Sequence, residues 1–218
     1  MIGFYNYTVI LTYASLLISV AGVGLAAADR PFPALVCLLA SGICDMFDGK
    51  VARTRKKSTD EERRFGIQID SLCDLVCFGV LPAVVGMCLA PRGSVVASVS
   101  LTIGVLYVLC ALIRLAYFNV TEETRQSTES GRRTHFLGVP VTTAAVVFPL
   151  VYALSVLMTE AGGPLATPAP WLYPALLLIT AVAFVTPVRV RKPHGAGLAI
   201  LGVIGLCEFA LMLYLFIR

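Results

Sequence analysis

Four aspartates carry the chemistry of this sequence. Asp45 and Asp48 stand three residues apart, and Asp70 and Asp74 four apart, each pair where an apolar stretch meets a charged connection. On a helix, either spacing puts both side chains on one face. If the chain turns back between the pairs, the two faces bring four carboxylates to one point. Such a group repels itself, or retains protons, unless a cation joins it. Carboxylate oxygens in that number suit hard divalent ions such as magnesium, manganese or calcium. Acids placed near a bilayer are costly without such compensation.

The residues between the pairs narrow the ligand. Gly49 follows Asp48 directly, Ala52 continues the Asp45–Asp48 face, and Gly66 continues the Asp70–Asp74 face. So little side chain lets a ligand lie close against both helices. Arg53 adds a planar guanidinium that matches phosphate oxygens. Metal, small residues and one arginine together describe a site for a diphosphate. The bland alternative is four snorkelling surface acids at an accidental spacing.

The pattern D-x2-D-G-x2-A-R followed by G-x3-D-x3-D resembles the signature of the CDP-alcohol phosphotransferase family. All eight signature residues are present: Asp45, Asp48, Gly49, Ala52, Arg53, Gly66, Asp70 and Asp74. The connection from Arg53 to Gly66 is longer than is usual in that family, and being polar it reads as a lengthened cytosolic loop. The resemblance implies a bundle with a six-helix core, a homodimer, and transfer of a phosphatidyl group from CDP-diacylglycerol to an alcohol. It implies two divalent ions, Mg2+ or Mn2+, ligated by Asp45, Asp48, Asp70 and Asp74, with Asp74 also acting as the base. Gly49, Ala52, Arg53 and Gly66 would hold the CDP part.

The elements that must position these residues are membrane spans. Hydrophobic residues make up 58% of the 218 and charged residues 14%, where a soluble domain has about a quarter charged. The expected fold is an all-α integral membrane protein, a single catalytic domain over 1–218. Its spans fall at about 4–28, 33–55, 66–90, 94–118, 136–158, 171–188 and 196–217, each near the length that crosses a bilayer. The seventh lies beyond the six-helix core that the resemblance implies. Between spans, 55–64 reads as a solvated loop or short helix extension, and 121–134 as a polar connection. No basic n-region precedes the first apolar run, so no cleaved signal peptide is expected. Thr8, Thr12 and Ser15 recur at helical spacing, either to face a ligand or to bond back along their own helix. Cys37, Cys44, Cys73, Cys77, Cys88, Cys110 and Cys207 fall mostly in apolar runs and read as small packing residues.

Charge sets the expected sidedness. The loops after the second, fourth and sixth spans carry nearly all lysines and arginines, leaving Arg30, Arg92 and Arg218 for the opposite side. The positive-inside rule then puts the N-terminus and the aspartates at the cytosolic face of a multi-pass protein of the cell membrane. The bilayer and CDP-diacylglycerol are the expected partners, and no nucleic acid is.

Two further segments bear on the acceptor. The fourth span ends in RLAYFNV, which resembles the R-L-A-R-F-N segment of the phosphatidylserine synthases within the family, with Tyr117 in place of a second arginine. The fifth opens with HFLGVPVTTAA, whose G-x-P resembles another segment of that subgroup. Together they imply L-serine as acceptor, with Arg114 and Asn119 near its carboxylate; the alternative for Arg114 is snorkelling to lipid phosphate. Arg132, Arg133 and His135 are expected to attract anionic lipid. Glu208 stands near the middle of the last span, where it must be protonated or paired; no role is assigned to it. Other readings are the same chemistry with glycerol 3-phosphate or inositol phosphate, a membrane prenyltransferase, or a cation transporter. A prenyltransferase would be longer and lack the signature. A transporter is poorly served by acids gathered at one side beside an arginine.

Overall fold

The structure, a computed structural model, describes residues 3–4, 7–52, 54, 59–128, 135–160, 170–191 and 196–217. A 3-10 turn at Tyr7–Val9 leads into α1 (Ile10–Ala27), which a tight turn joins to α2 (Pro31–Ala52). Helix α3 (Asp60–Asp74) passes through six residues of π-helix, Leu75–Val80, into α4 (Leu81–Leu89). Then follow α5 (Val95–Thr128), strand β1 (His135–Leu137), a 3-10 turn at Val141–Thr143, α6 (Ala144–Glu160), α7 (Leu172–Val185), strand β2 (Arg189–Arg191) and α8 (Ala196–Ile217).

Among the described residues, five stretches are long and apolar enough to cross a bilayer: Ile10–Ala27, Pro31–Gly49, Asp60–Leu89, Val95–Arg125 and Val141–Met158. Leu172–Val185 and Gly202–Leu215 are shorter apolar helices. Val105, Leu106, Leu109, Leu112 and Ile113 of α5 are exposed, an arrangement suited to acyl chains rather than water. This is an all-α membrane protein.

Small residues and hydroxyls decide how closely the helices pack, as expected where lipid supplies no hydrophobic drive. A Cβ on Gly42 of α2 would strike Ala145 Cβ of α6, and one on Gly22 of α1 would lie 2.9 Å from Cys37 Cβ of α2. Ser41 Oγ donates to the Ser15 carbonyl at 3.2 Å, so Ser19 Oγ is the donor in its 2.7 Å contact with Ser41 Oγ. Ser15 therefore bonds across to α2 instead of back along its own helix, and its Oγ is 3.3 Å from the Ser41 carbonyl and 3.4 Å from Cys77 Sγ. Thr12 is buried beside it in α1, and the side chain of Thr8 lies outside the described residues. At the centre, Tyr107 meets Phe148 and Phe184 at centroid distances of 5.8 and 5.4 Å. Its hydroxyl donates to the Phe78 carbonyl at 2.8 Å, within the π-helical stretch.

Three element boundaries lie away from the expected spans, the first as the short helix extension allowed for 55–64. The third helix starts at Asp60 instead of near Gly66, because Thr59 and Glu62 form a capping box: Glu62 N to Thr59 Oγ1 at 3.2 Å and Thr59 N to Glu62 Oε2 at 3.0 Å. Helix α5 does not end near 118 but continues through the polar residues to Thr128. There Arg125 and Glu122 form an i,i+3 ion pair at 2.6 Å, with both side chains largely covered. The fifth span, expected from 136, becomes helical only at Val141. Residues 135–137 instead pair antiparallel with 189–191, Gly138 takes a positive φ of 79°, and Pro140 stands in extended backbone ahead of the turn.

Contacts between connections sort the ends of the bundle. Arg64 of α3 reaches Glu123 of α5 at 3.9 Å, and β1–β2 joins the chain after α5 to the chain after α7. Asp29 and Arg92 pair at 2.6 Å between the α1–α2 and α4–α5 turns.

Candidate active site

The site lies where the C-terminal part of α2 faces α3. Antiparallel packing of the two helices makes the spacings three and four complementary. Asp45 pairs with Asp74 across the gap, and Asp48 with Asp70. One carboxylate oxygen from each of Asp45, Asp70 and Asp74 lies within 4.8 Å of the others. Asp48 is buried, with 9% of its surface exposed.

Among the described residues, no lysine or arginine forms an ion pair with any of the four. Three carboxylates in mutual reach, with Asp48 beside Asp70, repel strongly away from water, and oxygens so placed would be satisfied by a proton or a cation held between them. An all-oxygen donor set of this charge fits a hard divalent ion. Residues Asp45, Asp70 and Asp74 form a group that could hold a metal.

The glycines flanking the acids leave room for a ligand. Among the described residues, a Cβ built on Gly49 or on Gly66 would meet nothing within 4 Å. This is the opposite of Gly42 on the same helix, which is needed for contact with α6. Ala52 ends α2, but its side chain, like the whole of Arg53, lies outside the described residues. So do Arg132, Arg133 and the side chain of His135.

The two acceptor candidates are held in different ways. Asn119 Nδ2 donates to Ser71 Oγ at 2.8 Å, which ties the end of the apolar part of α5 to the residue next to Asp70. Arg114 is buried, 6% exposed. It donates through Nε to the Val139 carbonyl at 3.3 Å and through Nη2 to the Gly138 carbonyl at 3.4 Å, and it lies 5.7 Å from the Phe118 ring centroid. It therefore braces the Gly138–Pro140 turn. A side chain at Gly138 would collide with the Phe184 carbonyl, 2.8 Å from its Cβ, and crowd Arg114 Nε at 3.1 Å. Buried Arg114 thus has protein partners, and snorkelling does not describe it.

Ser71 and the paired strands escaped the sequence reading. Nothing in the sequence sets Ser71 apart from any other helix serine, and three-residue strands carry no usable periodicity. Cys73 and Cys77 are buried and serve packing, as expected.

A family model for CDP-alcohol phosphatidyltransferases matches residues 5–187. Similar curated proteins include three named CDP-diacylglycerol–serine O-phosphatidyltransferase. The one from Saccharomyces cerevisiae is 37% identical over 52% of this chain and 39% of its own length. The one from Helicobacter pylori is 30% identical over 69% of this chain and 58% of its own. The one from Mycobacterium bovis is 28% identical over 93% of this chain and 69% of its own. The chain thus spans less than two thirds of the length of the first two.

Proposed function

Because the chain belongs to the CDP-alcohol phosphatidyltransferase family, we propose that it transfers the phosphatidyl group of CDP-diacylglycerol to the hydroxyl of L-serine, giving phosphatidylserine and CMP. The observation that carries the reading is the meeting of Asp45, Asp70 and Asp74 within 4.8 Å at the family signature. The names borne by the similar proteins support serine as the acceptor.

In this reading Asp45, Asp48, Asp70 and Asp74 hold two divalent ions, magnesium or manganese, which when bound offset charge on the diphosphate and on the departing CMP. Gly49 and Gly66 admit the diphosphate to the cleft, and Arg53 binds its oxygens in the two-pronged fashion of a guanidinium. Asp74 takes the proton of the serine hydroxyl as that oxygen bonds to the phosphorus bearing diacylglycerol. The bond from this phosphorus to the CMP oxygen breaks, and CMP leaves with the electron pair. Asn119 and Arg114 belong to the acceptor side, Asn119 through Ser71 beside Asp70 and Arg114 through the Gly138–Pro140 turn. The protein is read as a homodimer of the cell membrane with this end of the bundle in the cytosol, because lysine and arginine gather there.

The test is CMP release by the purified protein from labelled CDP-diacylglycerol, with serine, glycerol 3-phosphate and inositol phosphate each offered in turn. Labelled phosphatidylserine with serine alone is the expected result. Product with glycerol 3-phosphate instead would overturn the acceptor, and no CMP release with any alcohol would overturn the reading.

A further inference from the structure

Two residues ahead of α1, Phe4 and Tyr7, are tied to the rim of the cleft. Tyr7 Oη lies 3.0 Å from Thr54 Oγ1. The Phe4 ring meets that of Phe65 edge-on, with centroids 5.6 Å apart and planes at 66°. The first contact has a fixed direction. Thr54 Oγ1 gives its single proton to the Val51 carbonyl at 2.7 Å, so the phenol is the donor. Tyr7 is otherwise half in the open, 51% exposed.

The partners are what matter. Thr54 directly follows Arg53 at the end of α2, and Phe65 directly precedes Gly66 on α3. One short segment therefore grips both halves of the signature, at the end of the cleft where Gly49 and Gly66 face open space. A solvent-facing hydrogen bond and a single aromatic contact are weak anchors. Contacts this weak can release to admit a bulky lipid nucleotide and re-form beside it. The aromatic rings of Phe4 and Tyr7 also offer faces on which a pyrimidine stacks.

We propose that Phe4 and Tyr7 form a strap over the nucleotide end of the cleft, which sets affinity for the cytidine phosphate part of the substrate and not for the alcohol. The proposal rests on the function proposed above. CMP is the probe of choice, since it carries the cytidine and one phosphate without the lipid.

The experiment is equilibrium dialysis of labelled CMP, with magnesium, against the full chain in detergent. Tyr7→Phe should weaken CMP binding about three- to tenfold, the scale of one exposed hydrogen bond. Phe4→Ala should weaken it at least as much. Thr54→Val removes the acceptor of the same bond, so it should match Tyr7→Phe, and the double variant should be no worse than either alone. The KM for CDP-diacylglycerol should rise by the same factor, with the KM for serine, the kcat and the unfolding temperature without nucleotide unchanged. Tyr7→Phe with wild-type CMP affinity overturns the strap. A loss that falls equally on serine, or that lowers the unfolding temperature of the free protein, also overturns it, as the mark of a packing role. Failure of the wild type to bind CMP would instead remove the proposed function, and the strap with it.

Discussion

Two polar clusters share α2 about one turn apart, and they differ in whether the chain completes them. Ser41 closes a set of hydrogen bonds with Ser15 and Ser19 of α1, all three buried. Asp45, four residues on, meets Asp70 and Asp74, and no described base answers them. In a low-dielectric bundle, polar groups that satisfy one another hold helices together. Groups left in mutual repulsion cost stability, and they are kept for something that arrives from outside. Packing elsewhere on the same helix, such as Gly42 against Ala145, supports the strained end.

The contrast is broken most directly at the acids. Asp70→Asn should lower turnover by roughly three orders of magnitude or more, the scale of losing an essential charge-stabilising group. With one of four like charges gone, its unfolding temperature in detergent with chelator should exceed that of the wild type. Chelation should silence the wild type, and magnesium or manganese should restore it. Full activity in excess chelator, read as CMP release, would show that the acids need no ion.

Next in size is Arg114, which braces the Gly138–Pro140 turn. Arg114→Ala should raise the KM for serine by the equivalent of about 1.5–3 kcal/mol, the scale of hydrogen bonds given by a charged group. CMP affinity should be little changed. Arg114→Lys should recover only part, because an ammonium lacks the planar fork that reaches two carbonyls. Kinetics with serine varied at saturating CDP-diacylglycerol decide it, and a normal KM and rate would remove Arg114 from the acceptor side.

Two glycines on α2 then separate packing from binding. Gly42→Ala should destabilise by about 1–3 kcal/mol, because the added methyl overpacks against Ala145. Gly49→Ala should leave the unfolding temperature unchanged or slightly raised, alanine being the better helix residue, yet weaken CMP binding. Thermal unfolding and CMP dialysis on the same samples give both readouts. A Gly49→Ala protein with intact CMP affinity would mean that the open space there is only solvent.

The smallest effect belongs to the completed cluster. Ser41→Ala should cost about 1 kcal/mol of stability, the usual net value of such a bond, with both substrate KM values unchanged. A selective loss of serine or nucleotide affinity would blur the line between the two clusters.

Much of this was legible in the residues. The spacing of Asp45, Asp48, Asp70 and Asp74 requires only that both stretches be helical and antiparallel, since i,i+3 and i,i+4 neighbours share a face whatever surrounds them. The apolar runs likewise announce helices through length and composition alone. Other features carried a local signal that went unread. Thr59 and Glu62 are a capping box in plain spelling, and the Glu122–Arg125 spacing is that of a helix, not a loop.

Tertiary structure alone decided the rest. Gly49 is marked by its place after Asp48, but nothing along the chain shows that Gly42 is pressed against α6; that depends on what lies opposite. Ser15 reads as facing a ligand or bonding back along its own helix until α2 is laid beside it. Arg114 stands twenty-four residues from Gly138, which accepts from it, and Phe4 sixty-one from Phe65. Spacing within one helix is dictated by backbone geometry and is therefore written in the sequence. Contacts between helices depend on how closely small residues let them approach, and that distance is set only when all the helices pack at once.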